Sequence, residues 1–342
     1  MSDSLLNEGR ARAKAIIEEV QARINRTNPT HGYWALSAQE RSSLRKWMIE
    51  LYTEAIAADE SFPDAYVKRG TELYFDKQRE EAAADMRKAF TLQPENGELY
   101  VPMSYPFEGD ERRHILHAGM ERSSPQSLEY QQLRMLYIQT YWYEGNFVEY
   151  VRLLQEWIPQ LDPEDFMFRH QLQQLGSGFS ALGQHELSEQ AYRMALAAGC
   201  DPSDKRSAAQ MIVRTWMHRV QYDDALSVLA ELTDIIPPDE LSVLEAVLTV
   251  LGSPDSAEAK SVTLAALPAA ELLGKQPGPL GGSTSYYSFL LGIVLLGVER
   301  IEEAKELLTR FANESAANPR EWGITLRWEI AKARELAEGT DD

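Results

Sequence analysis

The sequence predicts an all-α protein built from antiparallel helix pairs. Three observations carry that expectation. Apolar residues recur at steps of three and four through most of the chain, no Asn-Gly type hairpin signal separates alternating apolar runs, and small residues return at fixed offsets.

The elements follow in order. Ala13, Ile16, Ile17, Val20 and Ile24 mark one face of a first helix, which Asn28-Pro29 and Gly32 end. Ser37 with Glu40 makes a capping box, each side chain satisfying a backbone N–H at a helix start. The helix it opens carries Leu44, Met48, Leu51, Tyr52 and Ala55 and ends near Asp59. Gly70 is then followed twelve residues on by Ala82, nineteen by Ala89 and twenty-four by Pro94, with Tyr66, Leu73 and Met86 between. Gly70 and Ala82 are expected on facing sides of two touching helices, where larger side chains would hold the backbones apart. Pro94 stops the second helix because it lacks an N–H.

This stretch resembles the tetratricopeptide repeat, a 34-residue helix–turn–helix unit. The template recurs with losses. From Phe166 it returns as Gly176, Phe179, Gly183, Tyr192 and Ala195, with Ser188 in the first alanine slot. Between Gln126 and Pro163 it shows Tyr141, Gly145, Phe147, Leu154 and Trp157. There Ile138 and Tyr150 replace small residues, which predicts wider helix spacing. From Arg206 come Trp216, Tyr222, Ala225, Leu229 and Pro237, with Val213 in the glycine slot; from Thr284 come Gly292, Leu295, Ala304 and Leu308. About five repeats plus half-repeats are expected. The resemblance implies a right-handed α-solenoid of stacked helix–turn–helix units.

Two stretches depart from it. Residues 95–125 hold Pro102, Pro106, Gly109 and Pro125 around a helical segment, Asp110 to Glu121. Residues 252–283 end in Gln-Pro-Gly-Pro-Leu-Gly-Gly, predicting a loop over 275–283. Asn318-Pro319 with Glu321 signals a helix start, and Trp322 to Ala337 reads as a helix covering the last repeat. The organisation expected is N-terminal helices over 1–60, the repeat array with its insert over 61–238, and degenerate repeats with a capping helix over 239–342.

Composition bounds the function. Of 342 residues, 44% are hydrophobic and 25% charged, enough apolar material for a sizeable core. Lys plus Arg number 34 against 53 Asp plus Glu, a net charge of −19. Such a surface repels phosphates, so neither nucleic acid nor an anionic membrane is expected as a main partner. The apolar run Phe289–Val298 is about half the length of a spanning helix. The single cysteine, Cys200, and a start without a basic, apolar leader lead to a cytoplasmic expectation.

No constellation points to catalysis. Glu111, His114 and His117 share a helix face but sit with Arg112 and Arg113, so an exposed polar helix is expected and no metal site. Asp223-Asp224 and Glu302, Glu303 and Glu306 read as solvated helix starts. Gly281-Gly282 is followed by no Gly-Lys-Ser/Thr phosphate loop. Ser177, in Gly-Ser-Gly, lacks the strand of a nucleophile elbow. No catalytic residue and no cofactor are expected.

The resemblance implies a different site: in stacked repeats the first helix of each pair lines a concave side. Mapping first-helix positions onto that side gives Tyr74, Gln132, Gln139, Trp142 and Tyr143, then His170, Gln173, Gln174 and Ser177, then Gln210, Arg214, Met217 and His218. Amides there suit an extended backbone and aromatic rings suit its side chains. The alternative for Trp142 and Tyr143 is packing against residues 95–125. Relatives that clamp a carboxylate terminus use a Lys and an Asn on the first repeat and a Lys and an Arg on a later one. Val67, Thr71, His170 and Gln174 occupy those slots, so that clamp is not expected. From Gln221 to Gly278, ten acidic residues face Lys260 and Lys275, a local net of −8, whereas residues 1–50 have a net of +2. The acidic stretch suits a basic partner segment, or serves solubility. The expected role is a non-catalytic scaffold or adaptor for a partner peptide or helix. The alternatives are a peptide-responsive regulator and a chaperone-like subunit of a larger complex.

Overall fold

The computed structural model describes residues 3–27, 36–199, 201–275, 286–317 and 326–339. Cys200, the 275–283 loop beyond Lys275, Asn28-Pro29, Gly32, Asn318-Pro319 and Trp322 lie outside them. Among the described residues the secondary structure is helical, with no strand. Helix packing divides the chain into two compact units, Met1–Glu144 and Gly145–Asp342. The division falls in a turn between two helices.

The first unit holds α1 (Asp3–Thr27), α2 (Ala38–Ala58), α3 (Pro63–Phe75), α4 (Arg79–Thr91), α5 (Tyr100–Met103), α6 (Gly109–Arg122) and α7 (Leu128–Tyr143). Helix α2 starts on the expected capping box: the Glu40 N–H donates to Ser37 Oγ, and the Ser37 N–H donates to Glu40 Oε2 at 2.8 Å. Ala13 and Val20 of α1 are fully buried against Ala55, Met48 and Tyr52 of α2, because the three-and-four spacing puts them on one stripe. The 95–125 insert is more regular than its prolines suggest. It folds as a 3₁₀ turn, the short α5 and the 14-residue α6, which pairs with α7. Its anchor is Tyr100, fully buried, whose hydroxyl donates to the Pro94 carbonyl at 3.0 Å.

The second unit holds α8 (Phe147–Trp157), α9 (Phe166–Ala181), α10 (His185–Ala198), α11 (Pro202–His218), α12 (Tyr222–Glu231), α13 (Pro238–Gly252), α14 (Ala257–Gly274), α15 (Tyr286–Gly297), α16 (Ile301–Ala317) and α17 (Arg327–Glu338). Consecutive helices touch, and first helices also meet first helices, α9 with α11 and α13 with α15. One continuous core runs from Tyr192 through Ile212, Val247, Phe289 and Phe311 to Ala333.

Among the described residues, five turns between consecutive helices carry a left-handed residue at one register. Lys77, Gly145, Gly183, Val220 and Glu299 all adopt left-handed backbone, with φ of 66°, 72°, 73°, 59° and 62°. Each lies seven residues after Gly70, Ile138, Gly176, Val213 or Gly292 and five before Ala82, Tyr150, Ser188, Ala225 or Ala304. The following N–H reaches back five residues: Gln78 to the Leu73 carbonyl, Gln184 to Phe179 and Arg300 to Leu295, each at 2.9 Å. This satisfies carbonyls that the end of the first helix leaves open. Helices approach closely at the small slots. A Cβ at Gly176 would stand 2.7 Å from the Tyr192 ring, and Ser188 fits its alanine slot by donating its hydroxyl to the Gly176 carbonyl at 2.8 Å. At Gly70 the nearest atoms come from Met86 and Asp85, one turn beyond Ala82. Tyr150, bulky where a small residue was expected, is buried against Gly178 of α9.

Candidate functional site

In the first unit, the end of α3 and the end of α7 carry the residues picked from sequence. Tyr74 is half-buried, with its ring 5.6 Å from Phe75 and 5.7 Å from Tyr105, and Arg79 stands 5.9 Å over it. Phe75 is 47% exposed and Tyr143 40% exposed. Tyr74, Tyr105 and Tyr143 lie near the guanidinium of Arg112 from α6, together with Glu108. Burial pushes Arg112 below the usual guanidinium range, and its Nε makes no hydrogen bond among the described residues. Thus the structure brings Tyr74 and Tyr143 to one cation. Gln139 and Trp142 are half-buried on the same helix as Tyr143. Sequence reasoning missed Phe75, Tyr105 and Arg112. Phe75 and Tyr105 carried a signal, being aromatic residues just outside helical apolar stripes.

The neighbouring histidines are engaged separately. Glu111 takes Arg87 at 2.8 Å, His114 sits edge-on to Phe90 at 5.3 Å, and His117 lies 3.6 Å from Glu121. No group of three His, Cys, Asp or Glu side chains suited to a metal ion occurs among the described residues.

In the second unit, the expected lining of amides and one arginine is largely occupied by the protein itself. His170 stacks on Phe166 at 5.7 Å, receives Gln171 Nε2 at Nδ1 (2.9 Å), and is pushed down by burial. Gln174 accepts the Tyr150 hydroxyl at 2.8 Å, and Ser177 bonds the Tyr192 hydroxyl at 2.9 Å. Gln173 accepts the Ser207 hydroxyl at 3.1 Å, tying α9 to α11. Gln173, Gln174 and Ser177 thus join helices to one another, so their hydrogen bonds are not held open for a ligand backbone.

Arg214, Met217 and His218 correct the expectation most clearly. Met217 is fully buried, and Arg214 is 7% exposed. Helix α17 lies over them. Arg214 donates Nη2 to Glu329 Oε2 at 2.9 Å and Nε to Oε1, while His218 Nε2 meets the same Oε1 at 3.0 Å. The His218 ring stacks on Trp328 at 4.8 Å, and Arg327 donates to the Ala181 carbonyl at the end of α9. Burial alone would raise Glu329, but the Arg214 charge and these donors outweigh it and hold the carboxyl far below its ordinary range. His218 goes the other way: burial pushes it down, outweighing Glu329. The readable signal was Glu329 itself, a carboxylate four residues before the buried Ala333 and therefore on the apolar stripe of α17.

Arg206, Gln210, Arg214 and His218 recur every four residues along α11 and form one polar stripe. Its lower half is closed by Glu240 of α13, 2% exposed, which accepts from Arg206 at 2.8 Å, Tyr287 at 3.0 Å and Gln210. Its upper half is closed by Glu329.

Five turns in one register, with helix pairs stacked first helix on first helix, decide the architecture. This helix–turn–helix architecture is similar to that of stacked tetratricopeptide repeats. No family model matches it, and neither does any curated protein. Among solved structures it is similar to the C-terminal part of a TPR repeat-containing protein from Cytophaga hutchinsonii, with 13% identity over 87% of this chain and 90% of that one, TM-score 0.41. It is also similar to yeast Tom70, with 15% identity over 88% of this chain and 60% of Tom70, TM-score 0.49. A third is the apo quorum sensor NprR from B. thuringiensis, with 14% identity over 98% and 97%, TM-score 0.44. No described helix is long and apolar enough to cross a membrane.

Proposed function

We propose that this tetratricopeptide-like chain is a non-catalytic interaction scaffold or adaptor, and that the aromatic cluster of its first unit holds a partner's peptide. The observation that carries this reading is the pair of exposed rings Phe75 and Tyr143, with Phe75 packed on the half-buried Tyr74 and Tyr105 and with the half-buried cation Arg112 near Tyr74 and Tyr143. Rings of this kind give anchoring area at low entropic cost, and an arginine beside them takes a carbonyl or carboxylate oxygen. On its own, the acidic stretch from Gln221 to Gly278 in the second unit attracts basic segments at low salt.

The test is selection of peptides on the intact protein, followed by affinity measurement with Phe75→Ala/Tyr143→Ala and with Arg112→Met. Loss of about 2 kcal/mol or more in the double variant, with unchanged helicity, is the expected result. Arg112→Met should fold at least as stably as the parent, because it removes a buried donor whose Nε goes unanswered, yet bind more weakly. Undiminished affinity in both variants rejects this surface.

A further inference from the structure

We infer that the surface of the second unit formed by α11, α15 and α16 is a receptor for a short amphipathic helix, that α17 is its resident occupant, and that a partner helix presenting an indole followed by a carboxylate exchanges with it. Two kinds of contact hold α17. One seam is apolar, Ile330 and Ala333 against the core that contains Phe311 and Ala312. The other is polar and reaches 115 residues back along the chain, Glu329 on Arg214 and His218 with Trp328 stacked on the imidazole. Trp328 also sets its edge on Phe289 at 6.2 Å, and Arg327 stands 5.7 Å from the Phe147 ring.

The second set has the layout of ligand recognition: an anchoring aromatic, a forked charge pair beside it, and a rim cation on a helix-end carbonyl. A helix of 12 residues is marginal by itself, so α17 owes its helicity to docking. Arg214 fixes the chemistry of any replacement. Its guanidinium is buried and answered by the Glu329 carboxylate, so an apolar helix would strand the charge, whereas one bringing a carboxylate restores the pair. This surface is separate from the aromatic cluster of the first unit, and the two readings fail independently.

Two measurements on the intact chain test it. In native-state hydrogen exchange, amides of α17 should exchange about 100-fold faster than those of α11 and α15, reporting undocking as a separate event. Exchange of α17 in step with α15 and α16 makes it an integral cap and overturns the inference. Second, a labelled peptide with the sequence 326–339 is titrated into the Trp328→Ala chain, or into Trp328→Phe should the first lose its circular dichroism. Micromolar binding that falls at least about tenfold for the Glu329→Gln peptide is expected. Equal binding of the two peptides, or of neither, overturns it.

Discussion

The Arg206–Glu240 pair offers a sharp prediction, because its two members are unequally buried. The Glu240 side chain is 3% exposed and that of Arg206 39%. Deleting one partner of a buried pair costs roughly 3–5 kcal/mol, since the survivor is left uncompensated. In Glu240→Ala the survivor is a guanidinium already partly in water, which rehydrates, so the cost falls to about 2 kcal/mol. In Arg206→Ala the survivor is a carboxylate that water does not reach. Gln210 and Tyr287 still donate to it, which leaves a cost of about 3 kcal/mol. Removing the base should therefore hurt more than removing the acid. For a unit of this size each kcal/mol moves Tm by about 2–4 °C, giving losses of roughly 6–12 °C against 4–8 °C in thermal unfolding followed by circular dichroism. Equal losses, or a larger loss for Glu240→Ala, would refute the idea that residual burial of the survivor sets the cost.

Two further outcomes are expected. Gly183 has φ of 73° with nothing within 4 Å of a Cβ, so Gly183→Ala tests backbone strain without a clash; it should cost about 1 kcal/mol in urea unfolding, while Val220→Gly at the equivalent turn moves stability the other way. The depressed His170, His185 and His218 take up protons more readily when unfolded. Their contribution is therefore complete above about pH 6.5 and drains as pH falls below it, most for the deeply buried His218, and His218→Gln should flatten a plot of stability against pH on that acid side.

Much of the fold was written in spacing. The five repeat registers, the capping box at Ser37 and the helix in the proline-bearing insert are local: each depends on residues within about a dozen positions, where periodicity and turn chemistry act. The turn itself was only partly legible. Gly145 and Gly183 announce left-handed backbone, whereas Lys77, Val220 and Glu299 adopt it because the stacked pairs impose it at some strain.

The candidate site was less legible, and for a physical reason. Sequence alone determined which helix face each residue of α11 occupies, and that Arg214 and His218 share a stripe with Arg206 and Gln210. It did not determine what lies opposite. A polar residue on a first helix reads the same whether it meets solvent, a neighbouring first helix or a segment from the far end of the chain. Only the tertiary structure set Glu240 and Glu329 against that stripe, Glu329 from 115 residues away, and gathered Tyr74, Tyr105 and Tyr143 around Arg112. Periodicity is a property of one helix, while the partner of a buried charge is chosen by packing between helices that are distant in sequence.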